Sequence, residues 1–212
     1  MKFYIITLII VTTLYLAESR LDLVSEPAYC LIKNIGYEDE FLYTCQDLDI
    51  TNHFRRKVYT NRLSFSLIKN FDQIRWILVP VQEKNNTYFI VNAQYRELFC
   101  ASTFHLESAN LRRKVNMLRT EKESSIFDID NEECMWQIDK EKGQDRYYIW
   151  NTKYQEPLYA ASSLLKTVRS NRRNVFLWHS KPDSVQFVWY IYCFTKYENN
   201  NLLLRSNSLR YF

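Results

Sequence analysis

Glycine is nearly missing from this chain: Gly36 and Gly143 are the two in 212 residues. Left-handed turn positions must therefore fall mostly to Asn and Asp, whose short side chains tolerate that backbone region. Helical periodicity is missing as well. No long stretch keeps a 3.6-residue apolar repeat; the nearest approach, HLESANLRRKVNML at 105–118, leaves room for one short helical turn. There is no CxxC pair and no compact Cys/His set, so neither a metal site nor a cofactor is expected. The three histidines, His53, His105 and His179, lie far apart. No local spacing joins a nucleophile to a base and an orienting group, and the carboxylates Asp72, Asp128 and Asp130 have no partner to drive their pKa values apart. An enzyme is not expected. The net charge of +4 is too weak to argue for nucleic acid.

Long apolar runs are also absent after the first residues. The chain begins MKFYIITLIIVTTLYLAES, with Lys2 before an apolar run over residues 3–17 and small residues at Ala17 and Ser19. That is the pattern of a secretory signal peptide over residues 1–19, and it predicts a secreted, extracellular protein with one domain over residues 20–212. Cys30, Cys45, Cys100, Cys134 and Cys193 are five cysteines bound for an oxidising compartment. An odd number leaves at least one unpaired within the chain, and the sequence does not choose among the pairings. Asn85-Asn86-Thr87 is an N-glycosylation acceptor, which predicts an exposed loop around Asn85.

What is present is repetition. IWNTKYQEPLYAAS at 149–162 is nearly rewritten at 90–102 as IVNAQYRELFCAS, and more loosely at 32–44 as IKNIGYEDEFLYT. Ile32, Ile90 and Ile149 fall in register, then Asn34, Asn92 and Asn151, then Tyr37, Tyr95 and Tyr154, then Glu40, Glu97 and Glu156. Each glutamate comes just before Leu42, Leu98 or Leu158. A basic step and a valine follow each copy: RRKV at 55–58, RRKV at 112–115 and RRNV at 172–175. Each unit closes on a tryptophan segment, around Trp76, Trp136 and Trp189. Fixed-period self-similarity of this kind identifies a repeat architecture.

The apolar segments are short, rich in aromatic and β-branched residues, and divided by Asn, Asp and Ser clusters. The fold class is therefore all-β, with about four strands in each of three units of about 55–60 residues. Closing three such units around an axis buries an apolar face that none can bury alone and removes exposed edges. Ile90, Leu98, Val115 and Trp136, with their counterparts, should meet in that core. The repeated asparagine should end a strand and satisfy turn amides. The repeated glutamate should bind a backbone amide or pair with an arginine of the basic step.

Two lines carry a family resemblance. NVFLWHSKPDSVQFVWYI at 174–191 resembles the closing half of a ricin-B-type β-trefoil repeat, in which a V-x-L-W strand leads through a loop to Q-x-W. RWILVPVQEKNNTYFIVNAQYRELFCAS at 75–102 is similar to the carboxy-terminal trefoil domain of the insect 30K lipoproteins and microvitellogenins, which are secreted haemolymph proteins. The resemblance spans most of residues 30–212 and implies a β-trefoil. It also implies where a ricin-type sugar site would fall, at Thr44, Cys100 and Ala160, and none of these is the acidic residue that such a site needs.

Three kinds of function fit. The leading expectation is a non-catalytic binding protein that recognises glycans or other polyanions. Its candidates are the basic steps Arg55, Arg56, Lys57, Arg112, Arg113, Lys114, Arg172 and Arg173, read as turns, whose guanidinium forks suit planar anions. The plainer reading of the same residues is solvated turns paired with the repeated glutamates. The first alternative is a protein-partner binder, protease-inhibitor-like roles included, using exposed aromatic loops. The second is a storage or carrier protein.

Overall fold

The structure is a computed structural model; it describes residues 24–49, 55–62, 71–106, 109–119, 131–165, 171–179 and 182–194. The expected signal peptide and His53 lie outside the described residues. Twelve strands form one sheet: β1 (Ala28–Asn34), β2 (Glu40–Asp49), β3 (Arg55–Arg62), β4 (Arg75–Pro80), β5 (Thr87–Asn92), β6 (Leu98–Leu106), β7 (Ala109–Leu118), β8 (Met135–Lys140), β9 (Tyr147–Asn151), β10 (Glu156–Leu164), β11 (Arg172–Trp178) and β12 (Val188–Phe194). Single 3-10 turns, Phe71–Gln73, Glu132–Cys134 and Val185–Phe187, lead into β4, β8 and β12.

Six strands close a ring by antiparallel pairing: β1 with β4, β4 with β5, β5 with β8, β8 with β9, β9 with β12, and β12 back to β1. The other six form the hairpins β2–β3, β6–β7 and β10–β11. These hairpins cap one end of the barrel, where β3, β7 and β11 pair with one another.

The core follows from strand alternation. Ile32, Ile90 and Ile149 lie in the central cluster with Val58, Val115, Val175, Trp76, Trp136 and Trp189. A buried indole must still place its N–H. Trp76, Trp136 and Trp189 donate Nε1 to the carbonyls of Leu42, Phe99 and Leu158, at 3.1, 2.7 and 3.2 Å. These bonds set the true register of the hairpins. Phe99, not Leu98, sits opposite the tryptophan in the second unit and stacks on Trp136 at 4.5 Å. Leu98 faces instead a side cluster with Ile77, Phe89 and Val91. The expectation for Leu98 is thus one residue out of step, because Phe and Leu fill that core position equally well and the sequence offered both. The helical turn expected within 105–118 is also replaced, by β7 and the end of β6. Arg113, Val115 and Met117 alternate inward there, and tertiary pairing decides the state.

The chain joins β4 to β5 and β8 to β9 directly, whereas β1 and β12 are the first and last of the described strands. Cys30 and Cys193 are direct cross-strand partners at that seam and form a disulfide. At a sequence separation of 163, the chain-entropy model gives this bond about 5 kcal/mol. Cys100 and Cys134 form the second disulfide, across 34 residues, and Cys45 is buried and belongs to neither disulfide.

Candidate polyanion-binding face

The site begins with alternation along a strand. Val58, Val115 and Val175 point into the core, so the residue two positions earlier points the same way and its neighbours point out. The inward residues are Arg56, Arg113 and Arg173. The outward ones are Arg55, Lys57, Arg112, Lys114, Arg172 and Asn174. The basic steps are therefore strand segments rather than the turns expected, and each step is divided between two faces.

Each inward arginine meets the repeated glutamate of the next unit. Arg113 makes two bonds to Glu156, 2.8 Å from Nε to Oε2 and 3.2 Å from Nη2 to Oε1. Arg173 donates Nε to both oxygens of Glu40, at 2.9 and 3.0 Å, and Thr60 adds its hydroxyl at 2.7 Å. Arg56 makes one bond of 3.2 Å to Glu97. All three guanidinium groups lie over the repeated tyrosine: Arg56 over Tyr95, Arg113 over Tyr154 and Arg173 over Tyr37, at 3.6–3.9 Å from the ring centre. Each also donates to a carbonyl of its own hairpin, at Gln46, Ser102 and Ser162 respectively. The residue before each glutamate, Asp39, Arg96 or Gln155, has φ of +52° to +56°. Only one of these three is Asn or Asp. The surrounding bonds fix the turn so firmly that ordinary side chains accept the cost of the left-handed region.

The repeated asparagine completes this frame. Asn34, Asn92 and Asn151 donate Nδ2 to the carbonyls of Gln186, Gln73 and Glu133 in the three 3-10 turns. Their Oδ1 atoms accept turn amides from Gly36, from Gln94 and Tyr95, and from Tyr154.

The looseness of the second frame shows in its chemistry. Glu97 Oε2 is buried without a hydrogen-bond partner. Burial pushes the Glu97 carboxyl above its usual range, against the opposing pull of Arg56 and, more weakly, Arg119.

The outward residues converge because their strands pair. Lys57 faces Asn116, Lys114 faces Phe176, and Asn174 faces Tyr59. Lys57, Lys114 and Asn174 are therefore diagonal neighbours of one another, about 7–8 Å apart, around the point where the three strands meet. Arg55, Arg112 and Arg172 lie one step further out, each over the neighbouring unit. Arg55 donates to Asn116 Oδ1 at 3.2 Å. Arg112 lies over Phe176 and Trp178, at 4.9 and 4.8 Å. Arg172 lies over Tyr43 and Tyr59, with Nη1 3.5 Å from the Cys45 sulfur. None of β3, β7 and β11 contains an Asp or Glu. The carboxylates closest in the repeat, Glu40, Glu97 and Glu156, are engaged on the inner face. The pairing thus brings five outward cations onto three adjoining strands, with Glu133 of the turn before β8 near enough to Arg55 to feel its charge.

The ricin-type positions hold no pocket chemistry. Thr44 and Ala160 are buried in the hairpin and Cys100 is bonded to Cys134. Asn85 is exposed in the β4–β5 turn, and Thr87 Oγ1 donates to its carbonyl at 3.1 Å. That turn lies at the barrel end away from the cap, since β5 runs from it toward Asn92 and the next hairpin. Sequence reasoning missed the aromatic neighbours of the outward arginines. The signal available was the V-x-L-W strand itself, which sets Trp178 on the same face as Arg172.

No known protein-family model matches the sequence, and no curated protein does. Solved structures do. A Culex salivary protein of the cysteine and tryptophan-rich family superposes with a TM-score of 0.54 at 16% identity, covering 78% of this chain and 92% of that one. A Polyporus squamosus lectin bound to a human-type influenza-binding epitope gives 0.55 at 12% identity, covering 79% and 49%. ThreeFoil, a designed protein with 3-fold symmetry, gives 0.52 at 12% identity, covering 77% and 96%. At these identities the likeness defines the fold alone: the chain is an all-β protein with a closed barrel and a β-trefoil-like architecture.

Proposed function

We propose that this chain is a secreted, non-catalytic β-trefoil of three internal repeats that recognises glycans or other polyanions through the outer face of its cap. The observation that carries this reading is the convergence of Arg55, Lys57, Arg112, Lys114 and Arg172 on three mutually paired strands that hold no carboxylate. Arginine forks favour planar sulfate and carboxylate groups, and clustered charge raises the encounter rate with a polymer of opposite sign. Arg56, Arg113 and Arg173 support the face from behind rather than touching the ligand. The lectin named above is bound to a sialylated glycan, which adds a precedent on this fold. Two disulfides among the described residues accord with an oxidising, extracellular location. An N-linked glycan at Asn85 would sit at the opposite end of the barrel and leave the cap clear. The similarity to insect 30K lipoproteins rests on residues 75–102 and belongs with this reading, not with the observed fold.

The test is a binding screen of the secreted protein against immobilised heparin and a glycan array, at low and physiological salt. Binding that weakens with salt yet persists at physiological strength is expected. No binding at either salt would overturn the proposal and favour a protein partner engaged through exposed aromatics such as Phe104 and Tyr192.

A further inference from the structure

The three strand junctions on the basic face are not alike. At β3–β7 the outward arginine, Arg55, is spent on the amide of Asn116. At β11–β3, Arg172 is folded over Tyr43 and Tyr59 toward the buried Cys45. At the junction of β7 and β11, Arg112 likewise lies over an aromatic pair, Phe176 and Trp178, and what sets this junction apart is the exposed Phe104 of the adjoining hairpin. Arg112 pairs with Trp178 and Lys114 with Phe176. Trp178 is half-buried, held edge-on by Tyr159 at 4.8 Å. The bond from His179 N to Leu111 O, 2.8 Å, prolongs the ladder past Trp178 and fixes its position against β7.

The hairpin beside this junction adds the decisive residue. The β6–β7 ladder bulges between Ala101 and His105, and Phe104 lies in the bulge with 64% of its surface exposed. Bulges re-aim side chains. Here the turn is held by Ser102 Oγ, which accepts Phe104 N at 3.2 Å. The matching bulges of β2–β3 and β10–β11 fall between Thr44 and Leu48 and between Ala160 and Leu164, with Asp47 and Ser163 at the place of Phe104. Nothing in the core needs Phe104. The bulge falls between the pairs Ala101–Val115 and His105–Arg113, so Phe104 lies across from Lys114 on the neighbouring strand, with its ring in solvent.

We infer that the β6–β7 hairpin and β11 form a subsite for an acidic saccharide, with the face of Phe104 against the sugar ring and Arg112 and Lys114, beside the half-buried Trp178, on its sulfate or carboxylate. The chemistry is selective. A sugar ring offers a C–H face to the electron-rich face of an aromatic ring, while a bare phosphate polymer offers none. The inference rests on the polyanion reading above and names the part of that face that discriminates.

The experiment compares two probes of similar charge, a defined sulfated oligosaccharide and inorganic polyphosphate, against the wild type, Phe104→Ala and the double variant Arg112→Gln/Lys114→Gln. Phe104 is exposed, so its removal leaves the fold intact; a thermal scan checks this. The double variant is expected to weaken both probes. Phe104→Ala is expected to weaken the oligosaccharide roughly two- to tenfold, the range of one aromatic contact, and to leave polyphosphate unchanged. Equal affinity of wild type and Phe104→Ala for the oligosaccharide, or equal losses on both probes, would overturn the subsite while the basic face stands. Failure of the wild type to bind either probe would overturn the polyanion reading itself.

Discussion

Adjacent arginines on the same strand have opposite fates in this protein. Arg112 and Arg113 differ by one position. Arg113 is 7% exposed, bonded twice to Glu156 and stacked on Tyr154. Arg112 lies on the outer face, half-buried over Phe176 and Trp178. The same division holds for Arg55 and Arg56 and for Arg172 and Arg173. A dipeptide that reads as one basic motif is divided in two: an inward clamp that joins one repeat to the next, and an outward cation on the face proposed above for a ligand.

The largest test of this division is on the inner face. Removing one member of a buried ion pair leaves the other uncompensated, a loss of about 3–5 kcal/mol. Arg113→Ala or Glu156→Ala should therefore lower the denaturant midpoint strongly. Arg56→Ala should cost less, because Glu97 already lacks a second partner and has its carboxyl pushed up by burial. Equal losses at the two clamps would show that the bond count does not rank them.

A smaller effect comes from pH at the same loose clamp. The folded-state pKa of Glu97 is raised above 4.5, so the folded form holds the proton more tightly than the unfolded chain does. The ionised carboxylate therefore costs stability near neutrality, and the cost fades as pH falls through the raised value. Against Glu97→Gln, which cannot titrate there, the wild type should gain relative stability between pH 7 and 4.5, measured by denaturation at each pH. A relative loss over that window would mean that Arg56 outweighs burial. Glu133 provides the contrast. Burial opposes its ionisation, but hydrogen bonds from Lys153 and Tyr154 and the charges of Lys153 and Arg55 hold its carboxyl below the usual range. Its contribution is present above pH 4.5 and is lost as pH falls through the lowered folded value.

The sequence made a large part of this legible. The Ile-x-Asn spacing placed Ile32, Ile90 and Ile149 in the core and the asparagines at strand ends, because period 2 and a turn-capping carboxamide leave little freedom. The tryptophans were legible as core for the same reason. The pairing of the repeated glutamate with the basic step was visible as one of two readings, since charge alone cannot say whether a backbone amide or an arginine is nearer. The division of each basic step was not drawn, although it follows from the buried valine two residues on: reading RRKV as a turn removed the alternation that separates Arg55 from Arg56. The Leu98 register was misjudged because leucine and phenylalanine are interchangeable to a pattern and only the indole N–H chooses between their carbonyls. The Cys30–Cys193 pair was beyond reach, because it depends on which strand closes the ring.

The most direct measurement is the affinity of Arg55→Gln/Arg112→Gln/Arg172→Gln for heparin at physiological salt, with its denaturant midpoint recorded beside the wild type. Arg112 and Arg172 contribute ring contacts of about 0.5–1 kcal/mol each and Arg55 one hydrogen bond to Asn116, so the fold should survive. The account predicts a folded protein whose affinity falls more than about tenfold and whose salt dependence flattens, as expected when cations leave the interface. A folded variant that binds heparin as tightly as the wild type would contradict the assignment of this face.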